Sequence, residues 1–436
     1  MLTVQGPHED LAPTNSQALS TPVYSSEIQG KWYFLFAVFI AATVIVFSRS
    51  PIAFLHPQLL SEDGHVWYAD AYNRGWLPSL LWTQDGYFQT LPRLAASLSL
   101  LVPMIYAPLV MNLLGLVVQV APAMLLCSNR MSRWGSFPGR AALALAYLAM
   151  PNCGEMNLTI TEGQWHLALL ACLMLFADTP RTWLQRCADL VAFALCGLTG
   201  PFVILLVPVS AIYLRYRRER WLVAVTSLLL MCAALQAYAL LVIDRHARTH
   251  WPLGANLEWF IRITGGQVFL TGIMGKNSAA ILSFPIVATA FTIGVVVVAG
   301  CFRRLHLEGR LFLLYAFLLY AASLASPMAG KPPLGWTVWA SMSGASGIRY
   351  WFFPTLAFVW CVIWMIVDPI HGKNRRNLSI ALAFLMSIGV VRDWKPQDMK
   401  DMQFAARATE FSRLASGSVY IFPENPTGWT MTLVKR

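Results

Sequence analysis

Five short clusters of basic residues divide this chain, and with the apolar runs between them they leave few folds open. Arg130, Arg133 and Arg140 form the first cluster, and Arg181 with Arg186 the second. Arg215, Arg217, Arg218 and Arg220 form the third, Arg303, Arg304 and Arg310 the fourth, and Lys373, Arg375 and Arg376 the fifth. Of the 436 residues 57% are hydrophobic and 12% charged, where a soluble domain carries about 25% charged residues. The chain therefore reads as an all-α polytopic membrane protein. Short basic loops stay on the cytoplasmic side, so all five clusters belong on one face. An even number of crossings must then separate neighbouring clusters. The net charge of +11 is a topology signal on this reading, and no nucleic-acid partner is implied.

That parity rule decides two ambiguous stretches. Residues 188–214 are long enough for one tilted helix, but a single crossing would carry the third cluster to the wrong side. Gly197, Gly200 and Pro201 interrupt the run, so two short arms meeting at a turn fit better than one kinked helix, the alternative. Each arm is roughly 20 Å of helix, short of the roughly 20 residues a full span needs. Such arms must be shielded by protein or line a cavity. Residues 140–178 divide the same way around PNCGEMNLTITEGQW. With ordinary spans near 97–127, 221–243, 279–300, 311–326, 351–367 and 378–391, the count comes to about 11 transmembrane or half-membrane helices.

Residues 1–30 are polar and lack Lys and Arg, which predicts a disordered cytoplasmic tail rather than a cleaved signal. The first span, about Trp32–Phe47, then carries the loop at 49–95 across. The turn at 152–163, the loops at 244–278 and 327–350, and the tail from residue 392 share that outer face. Seven of the eight cysteines fall in apolar runs or at cytoplasmic ends, which argues against a disulfide framework. In the tail, Phe404, Ala408 and Phe411 have helical spacing, and strand-like runs flank a Pro/Gly turn. These predict a small exported C-terminal α+β segment over residues 392–436, or a surface amphipathic helix.

The outer face holds the candidate chemistry. Glu62 and Asp63 begin SEDGHVWYADAYNRGW, whose Trp67, Tyr68, Tyr72 and Trp76 are types that settle at a membrane boundary. Carboxylates so close to a bilayer are costly to desolvate and are kept wet or put to use; capping a helix N-terminus is the simpler role. Asp85 and Arg93 follow in the same loop. Glu162, Gln164 and His166 start a returning arm, and Asn157-Leu158-Thr159 matches a glycosylation sequon. Asp244, His246 and His250 share a helical spacing, although a metal site would need a further ligand. Lys331 and Arg349-Tyr350 flank a Gly/Ser run. Arg93 and Lys331 are read either as snorkelling anchors or as phosphate ligands.

Carboxylates, cations and aromatics over a lipid-facing groove suit transfer from a lipid-phosphate-linked sugar. Arg or Lys neutralises the phosphate leaving group, and a carboxylate serves as base for the acceptor hydroxyl. One span, an exported loop with an acidic pair and a juxtamembrane helix, then many spans with short hairpins, resembles the GT-C class of integral-membrane glycosyltransferases. The resemblance covers about residues 31–391. It implies a polyprenyl-phosphate-linked sugar as donor, a glycan or lipid-linked acceptor, and a bacterial inner-membrane location. Asp63, or else Glu62, takes the catalytic base position. Arg349 and Tyr350 take that of the lipid-phosphate ligands, with Arg93, Asp85, Glu162, Gln164 and Lys331 as further substrate contacts. The Asp-x-Asp metal motif of some members is absent from the first loop, so no metal is assigned. A non-catalytic scaffold or a lipid-handling transport protein is the competing class. Ion-coupled transport is disfavoured because the spans are nearly free of charge.

Overall fold

The computed structural model describes residues 31–243, 251–276, 282–328, 331–344, 347–367, 373–395 and 399–436. The polar stretch 1–30 and the candidate metal residues Asp244, His246 and His250 lie outside the described residues. The chain is mostly helical. Six segments are long and apolar enough to cross a membrane: Trp32–Arg49, Met104–Cys127, Arg220–Ile243, Phe284–Phe302, Leu307–Ala325 and Ile348–Val367. This is a membrane protein, and these segments frame the rest of it. Lys373–Arg392 is a further long helix that begins with several charged residues.

Four shorter α-helices sit between Met104–Cys127 and Arg220–Ile243. Phe137–Leu148 and Gly163–Phe176 enclose the polar turn; Trp183–Gly197 and Phe202–Arg217 part at a break. That break has a local cause. Gly200 holds a left-handed φ of +90°, which a side chain disfavours, and Pro201 cannot supply a helical N–H. The segment read as a span near 97–127 is also divided. An amphipathic helix Thr90–Ser99 ends before Pro103, and the long helix starts beyond it; proline also restricts its predecessor to extended backbone.

The basic clusters meet at one end of the bundle. Both terminal guanidinium nitrogens of Arg130 bond to Asp189, and Arg133 pairs with Asp178 at 3.0 Å. Arg133 also lies 3.8 Å from Glu219, and Arg217 pairs with Glu308. Contacts therefore join the first four clusters, and Val367, just before the fifth, packs at Gly139. From this arginine end, Gly163–Phe176 and Phe202–Arg217 run with their N-termini at the far end. Leu307–Ala325 runs the opposite way, with its C-terminus there. The acidic pair lies at that far end.

Two antiparallel hairpins complete the fold. β1 (Thr83–Gln84) and β2 (Tyr87–Phe88) belong to the first loop, and β3 (Val419–Glu424) and β4 (Trp429–Val434) to the tail. Helix Phe404–Ser412 buries Phe404, Ala408 and Phe411, the three residues at helical spacing. The tail packs on the first loop. His65 Nδ1 donates to the Thr430 carbonyl at 2.6 Å, and Asn73 brackets β4 through Thr432 O and Val434 N.

Candidate functional site

The acidic pair divides at the first turn of its helix. Ser61 adopts a left-handed φ of +50°, and its N–H donates to the Asn425 carbonyl at 2.7 Å. The chain then enters a wide helix, Asp63–Tyr68, whose N-cap is Glu62. Asp63 faces the protein interior, while the half-buried Glu62 points to the cavities beside it. Asp63 Oδ1 accepts from Thr161 Oγ1 at 2.6 Å and from Thr161 N–H at 3.3 Å. Thr161 Oγ1 in turn accepts from Trp67 Nε1 at 2.7 Å. Burial pushes the Asp63 carboxyl up to about 7, with the two Thr161 donors pulling against it.

Two cavities meet beside Glu62. The outer one, about 720 Å3, is walled by His65, Asp70, Arg74, Trp82, Arg93 and Trp429 among others. The inner one, about 270 Å3, combines Glu162, Gln164, Arg349 and Tyr350 with apolar walls such as Phe202 and Leu319. Glu62 and Asp85 line both. Asp63 lines neither and borders a void of about 20 Å3. Burial raises the Glu62 pKa above the ordinary carboxylate range, Asp85 adds to the rise, and Arg349 opposes it.

Each wall has a local origin. Asp85 and Gly86 have φ of +55° and +85° and join β1 to β2. A two-residue hairpin turn with both φ positive favours Asp-Gly, and here it carries Asp85 to the junction of the cavities. Glu162 ends the polar turn at the N-terminus of Gly163–Phe176. Its Oε2 accepts from Trp165 Nε1 at 2.8 Å, and its Oε1 faces Arg349 Nη1 at 3.3 Å. Burial pushes Glu162 up to about 7 against the pull of Arg349. Arg349 also reaches the Met328 carbonyl at 3.4 Å and lies over the Tyr350 ring. Tyr350 O–H donates to the same carbonyl at 3.0 Å. Gln164 Oε1 is buried without a hydrogen-bond partner among the described residues. A Cβ at position 200 would stand 2.5 Å from it, so the Gly200 turn leaves that oxygen its space.

Of the residues expected from sequence, Glu62, Asp85, Glu162, Gln164, Arg349 and Tyr350 come together around the inner cavity. Arg93 lines the outer one, but it is buried, pairs with Asp70 at 3.3 Å and lies over the Trp67 ring. Lys331 is exposed, sits over Trp251, and lines neither cavity. Asn157 of the sequon is buried, with its amide bonded to Ser50 and Gln119, so it does not present an acceptor nitrogen to solvent. His166 is buried and bonds to the Met156 carbonyl at 2.9 Å. All eight cysteines are free thiols. Among the described residues no three His, Cys, Asp or Glu side chains cluster as a metal set.

Sequence reasoning missed Thr161, Trp82, Trp429 and Glu424. Two signals were present. Asp-Gly between WTQ and YFQ marks a tight hairpin, and in the alternating run of β3 Glu424 falls on the same face as Phe422, toward the core. No protein-family model matches the chain, and no curated protein matches it.

Proposed function

We propose that this chain is a membrane glycosyltransferase of the GT-C type. It moves a sugar from a polyprenyl-phosphate carrier to a surface glycan or lipid-linked acceptor at the outer face of a bacterial inner membrane. The N-terminus lies in the cytoplasm, and the tail outside. The observation that carries this reading is the meeting of two unlike cavities at Glu62. The inner cavity offers apolar walls and an arginine to a lipid phosphate, while the outer one offers carboxylates and tryptophans to a hydroxyl-rich acceptor. Its depth also fits a lipid substrate. Helix Gly163–Phe176 has 14 residues, about 21 Å at 1.5 Å each, against a hydrocarbon core of about 30 Å. A cavity whose floor is the N-terminus of that helix opens below the outer membrane boundary.

In this mechanism Glu62 is the base and Asp63 its buried support. The Glu62 carboxylate takes the acceptor hydroxyl proton as the acceptor oxygen bonds to the anomeric carbon. The bond from that carbon to the phosphate oxygen breaks, and the electron pair leaves on the phosphate. Arg349 binds the phosphate by charge-assisted hydrogen bonds. An arriving phosphate competes with Glu162 for the guanidinium, and Glu162 can then take up a proton. The raised Glu62 pKa makes it a stronger base than an ordinary carboxylate.

Native mass spectrometry with a polyprenyl phosphate and the matching neutral polyprenol tests this reading. The phosphate should bind the wild type at least about tenfold more tightly than the polyprenol, and Arg349→Ala should remove that preference, a loss of about 1.4 kcal/mol or more. Equal binding of both lipids to the wild type would overturn the reading.

A further inference from the structure

The tail hairpin places a third acid against the acidic pair. Glu424, the last residue of β3, is 2% exposed. Neither of its carboxylate oxygens has a hydrogen-bond partner of good geometry among the described residues; the backbone N–H of His65 is the nearest favourable influence. It rests on the backbone of Gly64, where a Cβ would stand 1.5 Å from Glu424 Oε1. Asp63, beside it, is 3% exposed. The hairpin is fastened around this contact by Ser61 N–H to Asn425 O, by Asn425 to the Lys400 carbonyl, and by His65 to Thr430. Across the hairpin from Glu424, Trp429 of β4 forms part of the outer cavity wall and meets the His65 ring edge to face at 5.6 Å.

We propose that Glu424 is a positioning residue for the acidic pair: seated uncharged on Gly64 beside Asp63, it latches the tail hairpin onto the helix that presents Glu62, and its ionisation releases the latch. A buried carboxylate with no hydrogen bond of good geometry is disfavoured, so the seat favours the protonated form. Burial, with Asp63 and then Glu62 adding repulsion, pushes Glu424 up to about 9. Asp63, Glu62 and His65 face Glu424 from the helix, and Lys400 lies in the preceding segment. Arg407 and Glu410 of the helix packed on β3 turn to Tyr420 instead. An acid whose pKa rises on docking holds its proton more tightly docked than free. Docking is therefore strongest below the ordinary value of 4.5 and weakens as pH climbs toward about 9.

Hydrogen–deuterium exchange of the full chain in nanodiscs, corrected for intrinsic rates, tests the latch. The latch itself needs no sugar substrate, so it can stand or fall apart from the transferase reading. Between about pH 6 and pH 9, wild-type protection of residues 419–434 and 61–68 should fall by at least about tenfold, the scale linkage gives per pH unit for one proton. Glu424→Gln keeps the shape without the ionisation, so its protection should stay nearly flat with pH. Gly64→Ala should unseat the hairpin at both pH values while the long helices keep theirs. An identical pH dependence in wild type and Glu424→Gln would overturn the proposal. If Glu424→Gln does not fold, a Gly64→Ala hairpin as protected as the wild type overturns it as well.

Discussion

The two ends of the bundle treat charge in opposite ways. At the arginine end opposite charges are matched: Arg130 to Asp189, Arg133 to Asp178 and Glu219, Arg217 to Glu308. Tyr213 O–H adds a donor to Glu308 at 3.2 Å. At the other end Glu62, Asp63, Glu162 and Glu424 gather, and among the described residues their ion pair is that of Arg349 with Glu162. There Asp63 and Glu162 are pushed up to about 7 and Glu424 to about 9. The same residue types thus serve as fasteners at one end, while at the other burial favours the uncharged form of Asp63, Glu162 and Glu424. Strongly perturbed carboxyls around a cleft mark a functional site more often than matched pairs do. Burial alone does not distinguish the ends; among the described residues, the number of these acids paired with a cation does.

Substitutions at the two ends should therefore fail differently. The largest effect is expected at Glu62, where Gln should slow sugar transfer by about 10²–10⁴-fold, the range for a lost general base, without shifting the unfolding temperature. Asp189→Ala should do the reverse. Removing one partner of a fully buried pair costs about 3–5 kcal/mol, and the partial exposure of Arg130 reduces this to about 1–3 kcal/mol. Thermal unfolding should show that loss while transfer by the folded fraction stays within about twofold. Comparable transfer losses from both substitutions would break the distinction between the ends. The smallest effect belongs to Lys331→Ala, outside both cavities, with changes of about twofold or less in transfer and about 0.5 kcal/mol or less in stability.

The sequence showed where helices break better than where side chains point. Gly197, Gly200 and Pro201 announce their turn because glycine and proline act through the local backbone. The helical face of Phe404, Ala408 and Phe411 was visible for the same reason: its period is local. The arginine clusters predicted a shared face, and the contacts at residues 130, 178, 217 and 308 join four of them. The roles of Glu62 and Asp63 were not legible. They depend on Thr161, 98 residues away, and on Glu424, still more distant in sequence. No pattern within the first loop encodes either partner. Pro103 divided a run that hydropathy alone had joined, and Arg93 turned inward to Asp70 where an interface anchor was one expectation.

The most direct test of the central claim replaces each acid of the pair separately. Cells lacking this chain are complemented with wild type, Glu62→Gln or Asp63→Asn, each checked for equal membrane level. Their surface glycans are then weighed by mass spectrometry. The account predicts a sugar missing from the deletion and Glu62→Gln cells and present, at reduced level, with Asp63→Asn. Full restoration by Glu62→Gln would contradict it.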